Sequence, residues 1–454
     1  MSRVYFLSFY YALNCVFVAE PFAIAITLPL FLLCCLNMYR INETFVVAED
    51  MVWLIVYLFF VIGPCQSIGD GYIGKATGPV AGVSFTDQEI IQASVIVFSF
   101  FATVTLTKLL LGGAWVRPRA IGQVRIDGAQ AIPLLLVCLG AFAAFVIFSG
   151  GLSNVLASRA DKLRQEVSAL AVVFLALQII ATLLIVVVYR TNLGAKLPLV
   201  AVLLTIPLLA VSQNPLNAPR YFLLAAWLPI LFVVLKGRIR VFYFYLSVFF
   251  GITVVMPVFS LTSRFGHSFS DAFGNVSIQE AVFHLPYIDV FDMLAYEVKY
   301  LATSDFYWGE KTLGMLLFFV PRSIWPTKAT LLAIDMGTDL TEAKIAGTPN
   351  LSMFFAGEFY SDFGILGVVA GAFVLTLAFI WLNANRKYVN GLDVRSFVFI
   401  AAVPILVRGP LGANAPLSML EFLFLAMLTS FLGARLRYHD RTSRLVGPNI
   451  PRHT

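Results

Sequence analysis

The chain reads as long apolar runs separated by short polar ones. A helix that crosses a bilayer needs about 20 mainly apolar residues. Runs of that kind fall at 4–19, 22–38, 47–65, 90–111, 129–150, 166–189, 197–213, 221–235, 241–260, 362–383, 396–407 and 416–434. The pattern predicts an all-α, polytopic integral membrane helix bundle with about twelve transmembrane helices. The first two runs and the eleventh are short for a full crossing, and no internal repeat is visible.

One region breaks the alternation. Between the ninth and tenth runs lies the segment 261–361, longer than compact proteins leave without a function. Inside it, Ile288, Phe291, Leu294, Val298 and Leu301 follow helical spacing, with Asp289, Asp292, Tyr296 and Lys299 on another face. That amphipathic pattern over 285–302 predicts a helix lying on a membrane surface. The stretch KTLGMLLFFV (311–320) is apolar but too short to span and is stopped by Pro321, which suits a re-entrant or interfacial segment. The chain thus divides into an N-terminal bundle (1–260), a large partly helical periplasmic loop (261–361), C-terminal membrane helices (362–434) and a basic tail (435–454).

Composition strengthens this picture. Of 454 residues, 60% are hydrophobic and 12% charged, against about 25% charged in soluble domains, and the mean hydropathy is +0.88. A soluble domain, a disordered chain, a disulfide-stapled secreted domain and a nucleic-acid binder are all excluded. The net charge of +6 reports topology first, because Lys and Arg collect in cytoplasmic loops. With the N-terminus inside, 19 of the 31 Lys and Arg residues fall in cytoplasmic loops and ends, among them Arg3, Arg40, Arg238, Arg240 and Arg435. Both termini are therefore expected in the cytoplasm. The opening run from Arg3 to Ala19 lacks a small-x-small cleavage signal before Glu20, so it reads as a retained membrane segment. Five cysteines in or beside apolar runs, with no zinc spacing, read as packing residues.

The outer side carries the chemistry. Arg220, Arg264, Arg322 and Arg408 each stand at the predicted outer end of an apolar run. Any one of them alone reads as a lipid-headgroup anchor. Four around one large loop suggest a cationic pocket, since guanidinium forks bind phosphate oxygens bidentately. A diphosphate whose lipid tail stays in the bilayer suits that position. Carboxylates lie close in sequence: Asp289, Asp292, Glu310, Asp335, Asp339, Glu342, Glu358 and Asp362. Glycosyl transfer needs a base for the acceptor hydroxyl and positive charge for the leaving pyrophosphate. Glu358, in AGEFYSDFG (356–364), is prominent among them, although it could equally pair with an arginine. Asp289 and Asp292 could equally form a wet helix face, and His267 and His284 read as structural hydrogen-bonders. Glu421 is the clearest ionisable residue inside a run, whereas ion-coupled transporters carry several at mid-depth. No Walker loop, HExxH, GxSxG or cysteine-zinc spacing occurs, so neither a metal nor another cofactor is expected.

FVPRSIWPTK (319–328) followed by GEFYSDFGILG (357–367) resembles the bacterial oligosaccharide repeat-unit polymerases, the Wzy-type O-antigen and exopolysaccharide polymerases. IDVFDML (288–294) and VRGPLG (407–412) also look like elements of that family, and the resemblance is confined mainly to 255–412. The chain departs from it at Pro410, where members often carry an acid after the Arg-Gly pair. The resemblance implies a metal-independent glycosyltransferase of the bacterial inner membrane. Such an enzyme moves a growing glycan from undecaprenyl diphosphate to the outer sugar of a new lipid-linked repeat unit, and a chain-length regulator and a flippase would be its partners. It also implies that Arg322 and Arg408 hold diphosphate, with Arg220, Arg264 and Lys328 as further diphosphate ligands. Glu358, with Asp289 and Asp292, would then be the catalytic carboxylates. An O-antigen ligase, or a flippase or transporter of lipid-linked oligosaccharide, is the alternative.

Overall fold

Helices form over every one of the apolar runs. In a computed structural model the residues described are 2–69, 80, 82–115, 122–157, 168–214, 218, 220–255, 257–258, 274, 282–285, 288–317, 320, 324–346, 351–384, 387–409 and 411–436. The first runs become α1 (Ser2–Phe17), α2 (Pro21–Tyr39), and α3 (Ala48–Tyr57), which continues through a π turn (Leu58–Ile62) into α4 (Gly63–Gly69). Then come α5 (Asp87–Trp115), α6 (Ala131–Phe148), a short α7 (Leu152–Leu156), α8 (Ala169–Thr191), α9 (Lys196–Ser212) and α10 (Arg220–Val234). The ninth run is α11 (Val241–Phe250) with a second π turn (Gly251–Val255). The large loop contributes α12 (Val290–Leu301), α13 (Glu310–Leu316) and α14 (Leu332–Glu342). The last runs are α15 (Phe355–Ala384), α16 (Val394–Arg408) and α17 (Leu411–Leu432).

Of the described residues 77% are helical, so the all-α class holds. Among the described residues six helices are long and apolar enough to cross a membrane: Pro21–Tyr39, Ala48–Ile68, Asp87–Leu111, Gly128–Phe148, Ala169–Thr191 and Phe355–Trp381. The remaining apolar helices are shorter, such as Lys196–Ser212 and Pro416–Leu432. α8 packs against α6, α9, α10 and α17, and its central residues from Gln178 to Val188 are buried on all sides. A helix apolar all round belongs in such a place.

The basic segments gather at one end of the bundle. Arg3 reaches Asp50 and the carbonyls of Ile41, Glu43 and Phe45, and Phe45 pairs with Arg240. The Arg190 Nε donates to Val234 O at 3.0 Å. Three short strands close the same end: β1 (Gly122–Arg125) lies between β2 (Lys387–Val389), which is parallel to it, and β3 (Ala434–Leu436), which is antiparallel. Asn390 extends this junction, its side chain accepting from Ile126 N at 2.7 Å and donating to Thr191 Oγ1 at 3.0 Å. These are the segments whose Lys and Arg residues group them on one side in the sequence.

One expectation about the large loop changes. α12 does not lie on a surface with a wet acidic face, because it is buried nearly all round: Asp289 is 8% exposed, Asp292 1% and Glu297 0%. It packs against α4, α5, α15 and the first π turn. Within 311–320 the helix runs only to Leu316. The start of the tenth run also differs. α15 begins at Phe355 and breaks at Phe363 (φ −139°, ψ 16°) and Gly364 (φ 61°, ψ −151°). A backbone at that ψ with positive φ is essentially open to glycine alone, so Gly364 separates a short helix carrying Glu358 from the apolar helix after it.

Candidate functional site

The site forms around α12, and the first π turn helps to set it. A π turn admits one extra residue and re-aims the side chains beyond it. Directly after this one, Gly63 lies under Ile288, where a Cβ would come 2.8 Å from the Ile288 side chain. One turn on, the Gln66 side chain accepts from Leu285 N at 2.9 Å and donates to Asn14 Oδ1 at 2.8 Å and Val282 O at 3.1 Å. Ser67 donates to Asp292 Oδ2 at 3.3 Å. α4 thereby holds the chain entering α12 in register.

The opposite wall is the end of α16 and the start of α15. Arg408 closes α16, and its Nη2 donates to both Asp289 oxygens, at 3.3 and 3.4 Å. The two side chains are 27% and 11% exposed, so the pair is half open to solvent. The Arg408 carbonyl accepts from Met353 N at 2.9 Å, which fastens the end of α16 to the entry of α15. Below that entry Phe354 stacks on Phe101 at 5.7 Å and meets Phe60 at 4.6 Å, so an aromatic core supports the floor of the site.

Glu358 sits in the first turn of α15 and is 1% exposed, where the helix dipole favours a carboxylate. Beside it lies Glu297, fully buried, with neither oxygen hydrogen-bonded among the described residues. Its carboxyl presses on Gly357, where any Cβ would overlap Glu297 Oε2. Burial, and then the charge of Glu358, pushes the Glu297 carboxyl well above the usual carboxylate range.

Asp335, Asp339 and Asp362 have structural partners. Asp335 meets Lys311 Nζ at 2.5 Å, and Asp339 accepts from the Tyr296 hydroxyl. Burial first, then that bond to Asp339, raises the Tyr296 phenol. Lys311 Nζ also stands 4.3 Å over the Tyr307 ring; burial and the neighbouring Tyr300 push the Tyr307 phenol up to about 12. Asp362 caps α13, accepting from Lys311 N at 3.1 Å and Thr312 N at 2.6 Å. Glu310 and Glu342 are exposed.

Of the sequence-predicted residues, the fold pairs Asp289 with Arg408, sets Asp292 one turn further along α12 and brings Glu358 to Glu297, about two turns beyond Asp289 on the same helix. Lys328 Nζ donates to Leu317 O at 2.9 Å and Val320 O at 3.3 Å, just past the end of α13. Arg220 opens α10, but its side chain lies outside the described set, as do Arg264, Arg322 and His267 altogether. Glu297 is the residue that sequence reasoning missed. Its signal was a single acid inside the otherwise apolar face of LAYEVKYL (294–301). Comparison with protein-family models, curated proteins and solved structures returns no match.

Proposed function

We propose that the chain polymerises lipid-diphosphate-linked oligosaccharide repeat units at the outer face of a bacterial inner membrane. The donor and acceptor are both glycans carried on undecaprenyl diphosphate. In this reading Arg408 binds the donor diphosphate, and its half-open pairing with Asp289 is the observation that carries the proposal. A guanidinium whose Nη2 meets Asp289 at 3.3 and 3.4 Å can exchange that carboxylate for phosphate oxygens, which a guanidinium binds as a fork.

Glu358 takes the proton of the acceptor hydroxyl as that oxygen bonds to the donor's anomeric carbon. The bond from that carbon to the diphosphate breaks, and the diphosphate leaves with the electron pair, its charge held by Arg408. Asp292, held by Ser67, helps to shape the acceptor side. Lipid tails remain in the bilayer beside the apolar helices, and the glycan extends into water.

Deleting the gene in its host and resolving the surface polysaccharide on a gel tests this. The expected result is loss of the long ladder, leaving carriers capped with a single repeat unit, and restoration by the wild-type gene but not by Arg408→Ala. Full-length glycan accumulating on the carrier would identify a ligase instead, and single units trapped on the inner leaflet a flippase. Either outcome refutes the proposal.

A further inference from the structure

Glu297 is the one group around α12 for which, among the described residues, neither a structural partner nor the proposed reaction accounts. A carboxylate buried with no hydrogen bond is costly, and its neutral acid far less so. The elements packed against α12 are α4, the first π turn, α5, α15 and, through Met293 and Tyr296, α14, whose Asp339 accepts from the Tyr296 hydroxyl and whose Asp335 is paired with Lys311. α4 (GPCQSIG) and the π turn (LFFVI) carry no charged residue. α5 presents Gln92, which is bonded to the Tyr360 hydroxyl. α15 presents Glu358 and Tyr360, while its Asp362 is turned to the backbone of α13. On α12 itself the nearest acid is Asp292, which accepts from Ser67. Among the described residues no cation on these elements faces Glu297, and the charged group that acts on it is another carboxyl, Glu358.

The backbone shows that the approach is built in. Gly357, immediately before Glu358, leaves open the space that the Glu297 carboxyl fills, and any side chain there would overlap it. Two buried carboxyls that act on one another cannot both ionise cheaply; one keeps a proton, and the pair titrates as a unit. Glu358 has the helix N-terminus to favour its charge, and Glu297 stands in the interior of α12.

We propose that Glu297 and Glu358 share a single proton, held on Glu297, so that Glu297 acts as a positioning residue that keeps Glu358 ionised. The inference rests on the reading of Glu358 as the base for the acceptor hydroxyl. The neutral acid can also turn its O–H toward Glu358 and orient that carboxylate.

Infrared spectroscopy of the purified full-length protein in lipid nanodiscs tests the proton directly. The protonated-carboxyl stretch at neutral pH should lose a component in Glu297→Gln and keep it in Glu358→Gln. In Glu358→Gln that component should also vanish at a lower pH than in wild type, because the neighbouring charge is gone. Glu421→Gln serves as a control, since Glu421 is likewise buried without a hydrogen bond among the described residues. A spectrum unchanged by Glu297→Gln, a component lost in Glu358→Gln, or an unshifted pH limit would each overturn the shared proton. Chain elongation in cells reports separately on the reaction. It should survive Glu297→Gln within about threefold and fall roughly a hundredfold or more in Glu358→Gln. Elongation that persists in Glu358→Gln beside the expected spectra would refute the base and leave the proton assignment standing.

Discussion

Arg3 offers the sharpest test of the energetics. Read from sequence it is a topology marker, but its guanidinium is 4% exposed and forks onto Asp50, which is 0% exposed, through bonds of 2.5 and 2.9 Å. The same head donates to three carbonyls, the shortest bond being to Glu43 O at 2.7 Å. Asp50 in turn accepts from Val47 N at 2.9 Å, capping α3. Replacing Arg3 with Ala would leave a buried carboxylate facing only the Val47 amide and the Tyr245 hydroxyl. Breaking one partner out of a buried pair costs about 3–5 kcal/mol, and three carbonyls lose a donor besides. Removing both charges should cost far less, since a buried ion pair is nearly neutral against apolar residues of similar size. Arg3→Met with Asp50→Leu should therefore recover most of the loss, apart from roughly 1 kcal/mol for the missing cap. Reversible unfolding of the purified protein in mixed micelles, run as a double-mutant cycle of wild type, Arg3→Met, Asp50→Leu and the double variant, measures all four species. A loss under about 1 kcal/mol in Arg3→Ala, or single effects that add to within about 0.5 kcal/mol, would refute the reasoning.

Other substitutions address the site. Arg408→Lys keeps the charge but not the fork and should lower elongation, while Arg408→Ala should lower it by roughly a hundredfold at unchanged protein level; a cell-based polysaccharide ladder reads both. Gly357→Ala forces a methyl against the Glu297 carboxyl and should cost about 1–3 kcal/mol, most of it relieved when Glu297→Ala is added, as an unfolding cycle would show. Gly364→Ala meets the positive φ of 61° at the break in α15 and should cost about 1–3 kcal/mol, measured the same way. Glu297 also predicts a pH dependence. The unfolded chain loses its proton near the ordinary value of 4.5, whereas the folded protein retains it well above that. The folded state therefore binds more protons in this window, and its stability falls as pH rises from about 4.5 toward the raised folded value. Glu297→Gln should flatten that decline above the ordinary carboxylate range, as unfolding measured against pH would show.

The helices were legible because each apolar run is long enough to declare itself, from Pro21–Tyr39 to Leu411–Leu432. The burial of α12 was not. Its polar residues looked solvated because their partners are remote: Arg408 for Asp289, Ser67 for Asp292, Asp339 for Tyr296, and the Ser84 carbonyl for Lys299. A hydropathy pattern places a residue on its own helix and cannot see a carboxylate satisfied from elsewhere in the chain. Glu297 escaped for the same reason, since the glycine that makes room for it belongs to α15. The π turn at Leu58–Ile62 was hidden because hydropathy runs unbroken through it, and the break at Gly364 because it falls at the start of the tenth run, just after Asp362. The candidate site was half legible: the arginine and carboxylate types pointed to it, while the pairing of Arg408 with Asp289 needed the fold.

The three-stranded sheet bears on the order of assembly. β1 is its middle strand, so both of its edges wait for partners made later: β2 after α15, and β3 after α17. Gly433, before β3, packs so closely on Val124 that a side chain there would not fit. The ribosome must therefore release the final helix before the latch can shut, and until then one edge of Gly122–Arg125, the one that β3 takes, stays open to any passing strand. A nascent chain arrested before Ala434 would keep its bundle unfastened at that end, a state that quality-control proteases can recognise by an extended segment left unpaired.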